Sequence, residues 1–275
     1  MSLKLFYLTT EISPFAETSH LGKYSVHVPL ALQIAGHDVR TMIPKYGFVS
    51  ERKYILREVI RLREIPFEFD GEDVVASAKS AFIPKTRVQV YFLENTKWYK
   101  SLTNLLYKAK NGRILADNDE RYGYFSKAAI AILPHLFWKP NVVICNGWQS
   151  AMVPLIYQQI YDSQKFYGKV KTVLTVHSVD EYCKFTRKSY EKVGVTLPAN
   201  IKGDSVNCYE VAAPFADLII AVDSPKNNVT AKLLKLPGVK EHEDKLVSIS
   251  LDDEESPNFN ATASALNEEL TKHFG

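Results

Sequence analysis

No stretch of the 275 residues stays apolar for the ~20 residues that a helix needs to cross a bilayer. The run over 128–138 is broken by Pro134 and His135, and that over 211–222 by Asp217, so no membrane partner is expected. Cysteine is scarce. Cys145, Cys183 and Cys208 are widely spaced and form no C-x-x-C pair, which argues for reduced thiols and against a structural zinc site. No block of one charge sign stands out either. The 34 basic and 31 acidic residues interleave to a formal net charge of +3, leaving no basic footprint for nucleic acid. The N-terminal residues are too few for a signal h-region and read better as a strand. A cytoplasmic chain with no metal and no cofactor is the expectation, and the sequons at Asn228 and Asn260 then carry no meaning. With 46% hydrophobic and 24% charged residues, the composition is that of a globular protein with one large lobe.

Residues 3–9 form an apolar, β-branched and aromatic run of strand length, and a Ser/Pro/Glu/Thr cluster after it breaks any period. Residues 24–35 suit a helix packed on a sheet, with Pro29 in its first turn and Gly36 past its end. A strand over 38–43 completes a βαβ unit, whose first loop lies at the carboxyl edge where open α/β sheets bind ligands. Runs over 59–69, 74–83 and 88–93 predict an antiparallel meander, with turns at Asp70-Gly71 and Pro84-Lys85-Thr86. The basic, aromatic segment 97–111 reads as loop with a short helix, either a ligand-binding surface or simply solvated. Residues 118–138 predict a helix kinked at Pro134. A strand over 141–145 then delivers Asn146-Gly147-Trp148-Gln149 to the sheet edge. A helix over 151–161, a strand over 171–177, a helix over 206–216 and a strand over 218–222 follow. The pattern predicts an α/β fold, a Rossmann-like doubly wound parallel sheet with a small antiparallel excursion. Its body spans 1–250, and 251–275 is an acidic, then helical, tail.

Four ordered motifs carry a family resemblance. Glu11, Pro14, Phe15, Ala16, Thr18 and Leu21, followed by Gly36, His37, Asp38, Val39, Arg40, Pro44 and Tyr46, match S-E-x-x-P-F-A-K-T-G-G-L-A-D-V and G-H-D-V-R-V-x-x-P-x-Y. Glu120, Arg121, Phe125 and Ser126, then Trp138, Lys139, Pro140, Cys145, Asn146, Trp148, Val153 and Pro154, match E-R-x-x-x-F-S-R-A-A and W-K-P-D-V-I-H-C-N-D-W-H-T-A-L-V-P. Thr175, His177 and Ser178 stand at T-x-H-N, and Asn207, Ala212, Ala216 and Asp217 at I-N-F-L-K-A-G-x-x-x-A-D. Over residues 3 to about 224 the chain resembles the N-terminal lobe of bacterial glycogen synthases and plant starch synthases. That resemblance implies one lobe of a GT-B glycosyltransferase, with ADP-glucose or an α-glucan as ligand.

The polar positions depart from the family. Where its lysine and glycine pair approach the sugar nucleotide, this chain has Glu17, Ser19 and His20, and Lys23 replaces an aspartate. Gly147 and Gln149 replace the acidic residue and the histidine that flank the tryptophan. A carboxylate in place of a lysine turns attraction for a diphosphate into repulsion, about 4 kcal/mol each way for charges ~4 Å apart at an effective dielectric near 20. Side chains in place of glycines also obstruct close backbone approach to phosphate. Glu17, Thr18, Ser19, His20, Asn146, Trp148, Gln149, His177 and Ser178 are the candidate cleft residues. His177, which by resemblance touches the donor sugar, is the candidate catalytic group, or else a hydrogen-bonded histidine with no task. Trp148 either stacks on sugar or walls the cleft. The resemblance places the cations that hold ADP-glucose on a second lobe, beyond residue 275. Two functions remain open: a glucosyltransferase completed by a separate protein chain, and a non-catalytic glucan-binding, regulatory or scaffold protein of glycogen metabolism.

Overall fold

The apolar runs become strands in the computed structural model, which describes residues 2–253 and 255–275. They are β1 (Lys4–Leu8), β2 (Asp38–Pro44), β3 (Arg57–Glu58), β4 (Ile65–Phe69), β5 (Glu72–Phe82) and β6 (Gln89–Glu94). After these come β7 (Val142–Asn146), β8 (Lys171–Val176), β9 (Lys184–Thr186), β10 (Ser205–Asn207), β11 (Leu218–Asp223) and β12 (Leu246–Ser250). A ten-stranded sheet runs β12-β11-β8-β7-β1-β2-β6-β5-β3, with β4 paired to β5, while β9 and β10 form a separate two-stranded sheet. From β12 to β6 neighbouring strands are parallel. The antiparallel pairs of the large sheet are β3–β5, β4–β5 and β5–β6. The order β2-β1-β7 contains the topological switch: the chain builds outward from β1 through β2 to β6, then returns to β7 and builds the other way.

Successive side chains alternate between two buried layers, as the pleat requires. Phe6, Leu8, Val143, Cys145, Leu174 and Val176 face one layer together with helix α2 (Asn118–Ala131), which contributes Tyr122, Phe125 and Ala128. Leu5, Tyr7, Val142, Ile144 and Val173 face the other. There they meet Tyr24, Val28 and Leu32 of α1 (His20–Ile34) and Phe259, Ala263, Leu266 and Leu270 of α3 (Phe259–Phe274). Helix α3 packs along α1. His37 receives the Leu3 N–H on Nδ1 at 3.0 Å, and its Nε2 lies 2.6 Å from Asn267 Oδ1, which ties the end of the chain to its beginning. The helical part of the expected tail is thus built into the core that the first βαβ unit needs covered, and Glu254 in its acidic part lies outside the described residues.

Several local expectations are corrected. Helix α1 starts four residues before position 24, because Ser19 caps it by accepting the Leu21 N–H at 3.3 Å. Pro29 therefore sits buried in the helix interior rather than in the first turn, and removes one ladder bond there. The run over 59–69 is not one strand: Ile60–Leu62 is a 3-10 turn, and Glu64 takes a positive φ before β4. No helix forms over 97–111. Helix α2 ends at Ala131, ahead of a 3-10 turn at Leu133–Leu136 that contains Pro134. Over 151–161 one α turn (Val153–Ile156) passes into a π turn (Tyr157–Tyr161). The helix expected over 206–216 begins as β10 and turns helical only at Cys208–Ala212, capped by the Asn207 side chain. Strand β12 forms in a segment whose sequence reads as polar, where no strand is expected.

Candidate functional site

Loops leaving β1 and β7 diverge at the switch point, and a cavity of about 520 Å3 opens between them. Glu17, Thr18, Ser19 and His20 line it from the β1 side. Gly147, Trp148 and Gln149 line it after β7, His177 and Ser178 after β8, and Asn227 after β11. Asn104, Leu105, Tyr107 and Lys108 cover it from the segment between β6 and α2.

The β1 side is held by one buried carboxylate. Glu11 is 1% exposed. Its Oε2 accepts the backbone N–H groups of Thr18 (2.5 Å) and Ser19 (3.1 Å). Its Oε1 accepts the hydroxyls of Thr18 (2.8 Å), Ser19 (3.3 Å) and Tyr107 (2.9 Å). The N–H groups of Thr18 and Ser19, on the loop that leads into α1, are therefore occupied from within. Burial raises the Glu11 pKa, and the hydrogen bonds from Thr18, Tyr107 and Ser19 offset only part of that rise. Gly22 makes the loop's return possible, since a Cβ there would stand 2.9 Å from Glu17 Cγ.

The β7 side is built differently. Gly147 adopts φ 73° and ψ 178°, a region open to glycine alone, and a Cβ on it would lie 2.4 Å from Gln149 Oε1. Glycine at 147 and the folded-back amide of Gln149 thus belong together, and the acidic residue that the family resemblance puts at 147 does not fit this backbone. Trp148 stacks on Tyr182 (centroids 5.6 Å apart, planes at 13°) and takes the edges of Tyr107 and Tyr122. It is a wall of the cavity, with its ring engaged by neighbours. His177 is 6% exposed, with Tyr24 4.6 Å and His20 5.5 Å away between ring centroids. Burial, reinforced by His20, pushes its pKa well below the ordinary value, so the ring is neutral at physiological pH. Neither His177 nitrogen has a hydrogen-bond partner among the described residues, and neither has Gln149 Oε1.

Eight of the nine cleft residues named from sequence line this one cavity. Asn146 is the exception: it ends β7 fully buried, and its Nδ2 donates to Leu8 O at 2.9 Å, so it bridges strands inside the sheet rather than walling the cavity. Sequence reasoning passed over Glu11, Tyr107, Asp180 and Tyr182 as site residues. Glu11 had a signal, its place in the first motif. Tyr107 is brought in from 96 residues away, and its signal was only the basic, aromatic character of the segment 97–111. Among the described lining residues Lys108 is the one lysine or arginine, against the carboxylates of Glu11, Glu17 and Asp180.

A ligand cavity at the switch point of a doubly wound sheet, with an antiparallel excursion at one edge, defines an α/β lobe of the GT-B glycosyltransferase kind. The family model described as the starch synthase catalytic domain matches residues 4–227, and the chain belongs to that family. Glycogen synthase of Chlorobium limicola is 33% identical over 224 residues, 79% of this chain and 45% of the relative. Glycogen synthase of Chlorobaculum tepidum is 31% identical over 221 residues, with the same coverage of 79% and 45%. The chain thus spans a little under half the length of these relatives. The catalytic domain of starch synthase IV from Arabidopsis thaliana, solved bound to ADP and acarbose, superposes with a TM-score of 0.76 at 22% identity over 91% of this chain and 52% of that one. At that identity the superposition speaks to the fold. Among the described residues no helix is long and apolar enough to cross a membrane.

Proposed function

We propose that this chain is an α-1,4-glucan-binding lobe of the glycogen synthase type, and that the 275-residue chain by itself does not transfer glucose from ADP-glucose. The observation that carries this reading is the set of neutral, unpartnered polar atoms in the cleft, Gln149 Oε1 and the two ring nitrogens of His177. Sugar hydroxyls both donate and accept, which complements an amide oxygen and a neutral imidazole with one donor and one acceptor. The remaining charge in the cleft favours the same ligand. Three carboxylates against one lysine repel a diphosphate and leave a neutral oligosaccharide unaffected. Of the two ligands bound to starch synthase IV, ADP is thus the one this cleft is poorly suited to hold.

Family membership favours a second reading, in which glucose is transferred from ADP-glucose to the glucan and the groups that stabilise the departing diphosphate come from a second lobe. Calorimetric titration with maltoheptaose and with ADP-glucose, alongside incorporation of labelled glucose into glycogen, separates the two. Maltoheptaose heat without ADP-glucose heat or incorporation supports the glucan-binding lobe. Incorporation above an enzyme-free control overturns it in favour of the transferase.

A further inference from the structure

A second cavity of about 420 Å3, sharing no residue with the cleft, opens between strand β4, the C-terminal half of α2 and the π turn Tyr157–Tyr161. Phe67, Tyr161 and Tyr167 supply aromatic walls, each at most 9% exposed. Into it comes Lys127, which is 4% exposed and makes no hydrogen bond or ion pair with any described residue. A lysine side chain so largely covered, with no carboxylate paired to it, is uncommon in folded chains. Glu68 is the nearby carboxylate and attracts Lys127 at a distance, but it is exposed and forms no ion pair with it. The space around the amine is kept by Gly194, whose φ of 80° suits glycine and whose absent Cβ would stand 3.2 Å from Lys127 Nζ. Burial lowers the Lys127 pKa, the expected response of an amine short of a counter-charge.

We propose that this cavity binds a small monocarboxylate with an aromatic or branched aliphatic body, its carboxylate paired with Lys127 and its body laid against Phe67, Tyr161 and Tyr167. The choice of an anion over a cation follows from which charge is desolvated. Exposed Glu68 is satisfied by bulk water, whereas the largely covered Lys127 meets a further counter-charge only by way of the cavity. The requirement for an apolar body follows from the walls, which offer a hydrophilic ion such as acetate nothing beyond the single pair.

The test uses the full chain and three probes of one shape, 3-phenylpropionate, 3-phenylpropanol and 2-phenylethylamine, followed by isotope-edited NMR titration. The acid is expected to bind about tenfold or more tighter than the alcohol, the factor that one charge-assisted hydrogen bond supplies. The amine is expected not to bind, and Lys127→Met to reduce the acid's affinity to that of the alcohol. Shifts are expected at residues 127, 161 and 167 and not at 149 or 177. Equal binding of acid and alcohol, preference for the amine, or no binding of the acid overturns the proposal. The probe series on the unmutated chain decides the matter even if Lys127→Met fails to fold.

Discussion

The two sides of the cleft treat their polar atoms in opposite ways. On the β1 side the loop is closed on itself: Glu11 gathers two backbone N–H groups and three hydroxyls, and Ser19 also caps α1. On the β7 and β8 side Gln149 Oε1 and both His177 nitrogens are buried with no hydrogen-bond partner among the described residues. A polar atom satisfied within the protein shapes the wall, while one buried and left open is costly unless a ligand completes it. On the proposed glucan-binding reading, the contrast gives architecture to one side and recognition to the other.

The largest test of that contrast removes the carboxylate on the closed side. Glu11→Ala leaves the Thr18 and Ser19 N–H groups without their acceptor and should destabilise the chain by about 2–4 kcal/mol in urea denaturation. Amide exchange should accelerate at residues 18–22 well before the sheet is affected. An unchanged denaturation midpoint would mean that the loop is held by something else. On the open side, Gln149→Ala and His177→Ala should each weaken maltoheptaose binding about tenfold, since each removes one hydrogen-bonding group from the ligand. Stability should hardly change for Gln149→Ala, and a loss of stability that matched the loss of affinity would make Gln149 structural.

A smaller effect is expected from charge. Glu17 is exposed, so Glu17→Lys should improve binding of ADP by no more than about fivefold at low salt. The gain should fade near physiological ionic strength, where the Debye length is about 8 Å. Ser19 and His20 are poor choices for the same experiment, because Ser19 caps α1 and His20 packs on His177. A gain that survives salt would place a phosphate close to residue 17.

The smallest effect near neutrality comes from His177. Its folded pKa lies below the ordinary value of 6.5, so at low pH the unfolded state binds the proton that the folded state refuses. Its contribution to stability is present above pH ~6.5 and lost as pH falls below it, with a slope of at most about 1.4 kcal/mol per pH unit. His177→Asn should flatten that part of the stability profile, and an unchanged acid limb would show the ring to be charged in the folded chain.

Much of the frame was legible in the sequence, for physical reasons that also mark where reading stopped. Strands buried on both faces, such as residues 142–145, are continuous apolar runs, and no tertiary information is needed to find them. The motif residues Thr18, Trp148, Gln149 and His177 could be placed at one edge because each follows such a run. Asn146 was misplaced because a polar side chain at a strand end looks free until the sheet pairs it with Leu8. Tyr107 and the covering segment around it come from far along the chain, where local pattern carries no information about contact. Two helix starts depended on single caps, at Ser19 and Asn207, which decide a boundary without altering the apolar period.

The contrast between the closed and the open side is tested most directly at the imidazole of His177. In a chain labelled with nitrogen-15 histidine, maltotriose and ADP are titrated separately while the ring nitrogen signals are followed. Sugar binding on the open side predicts that both His177 nitrogens, neutral at pH 7, shift saturably with maltotriose and stay in place with ADP. Signals that move with ADP alone, or with neither ligand, would contradict it.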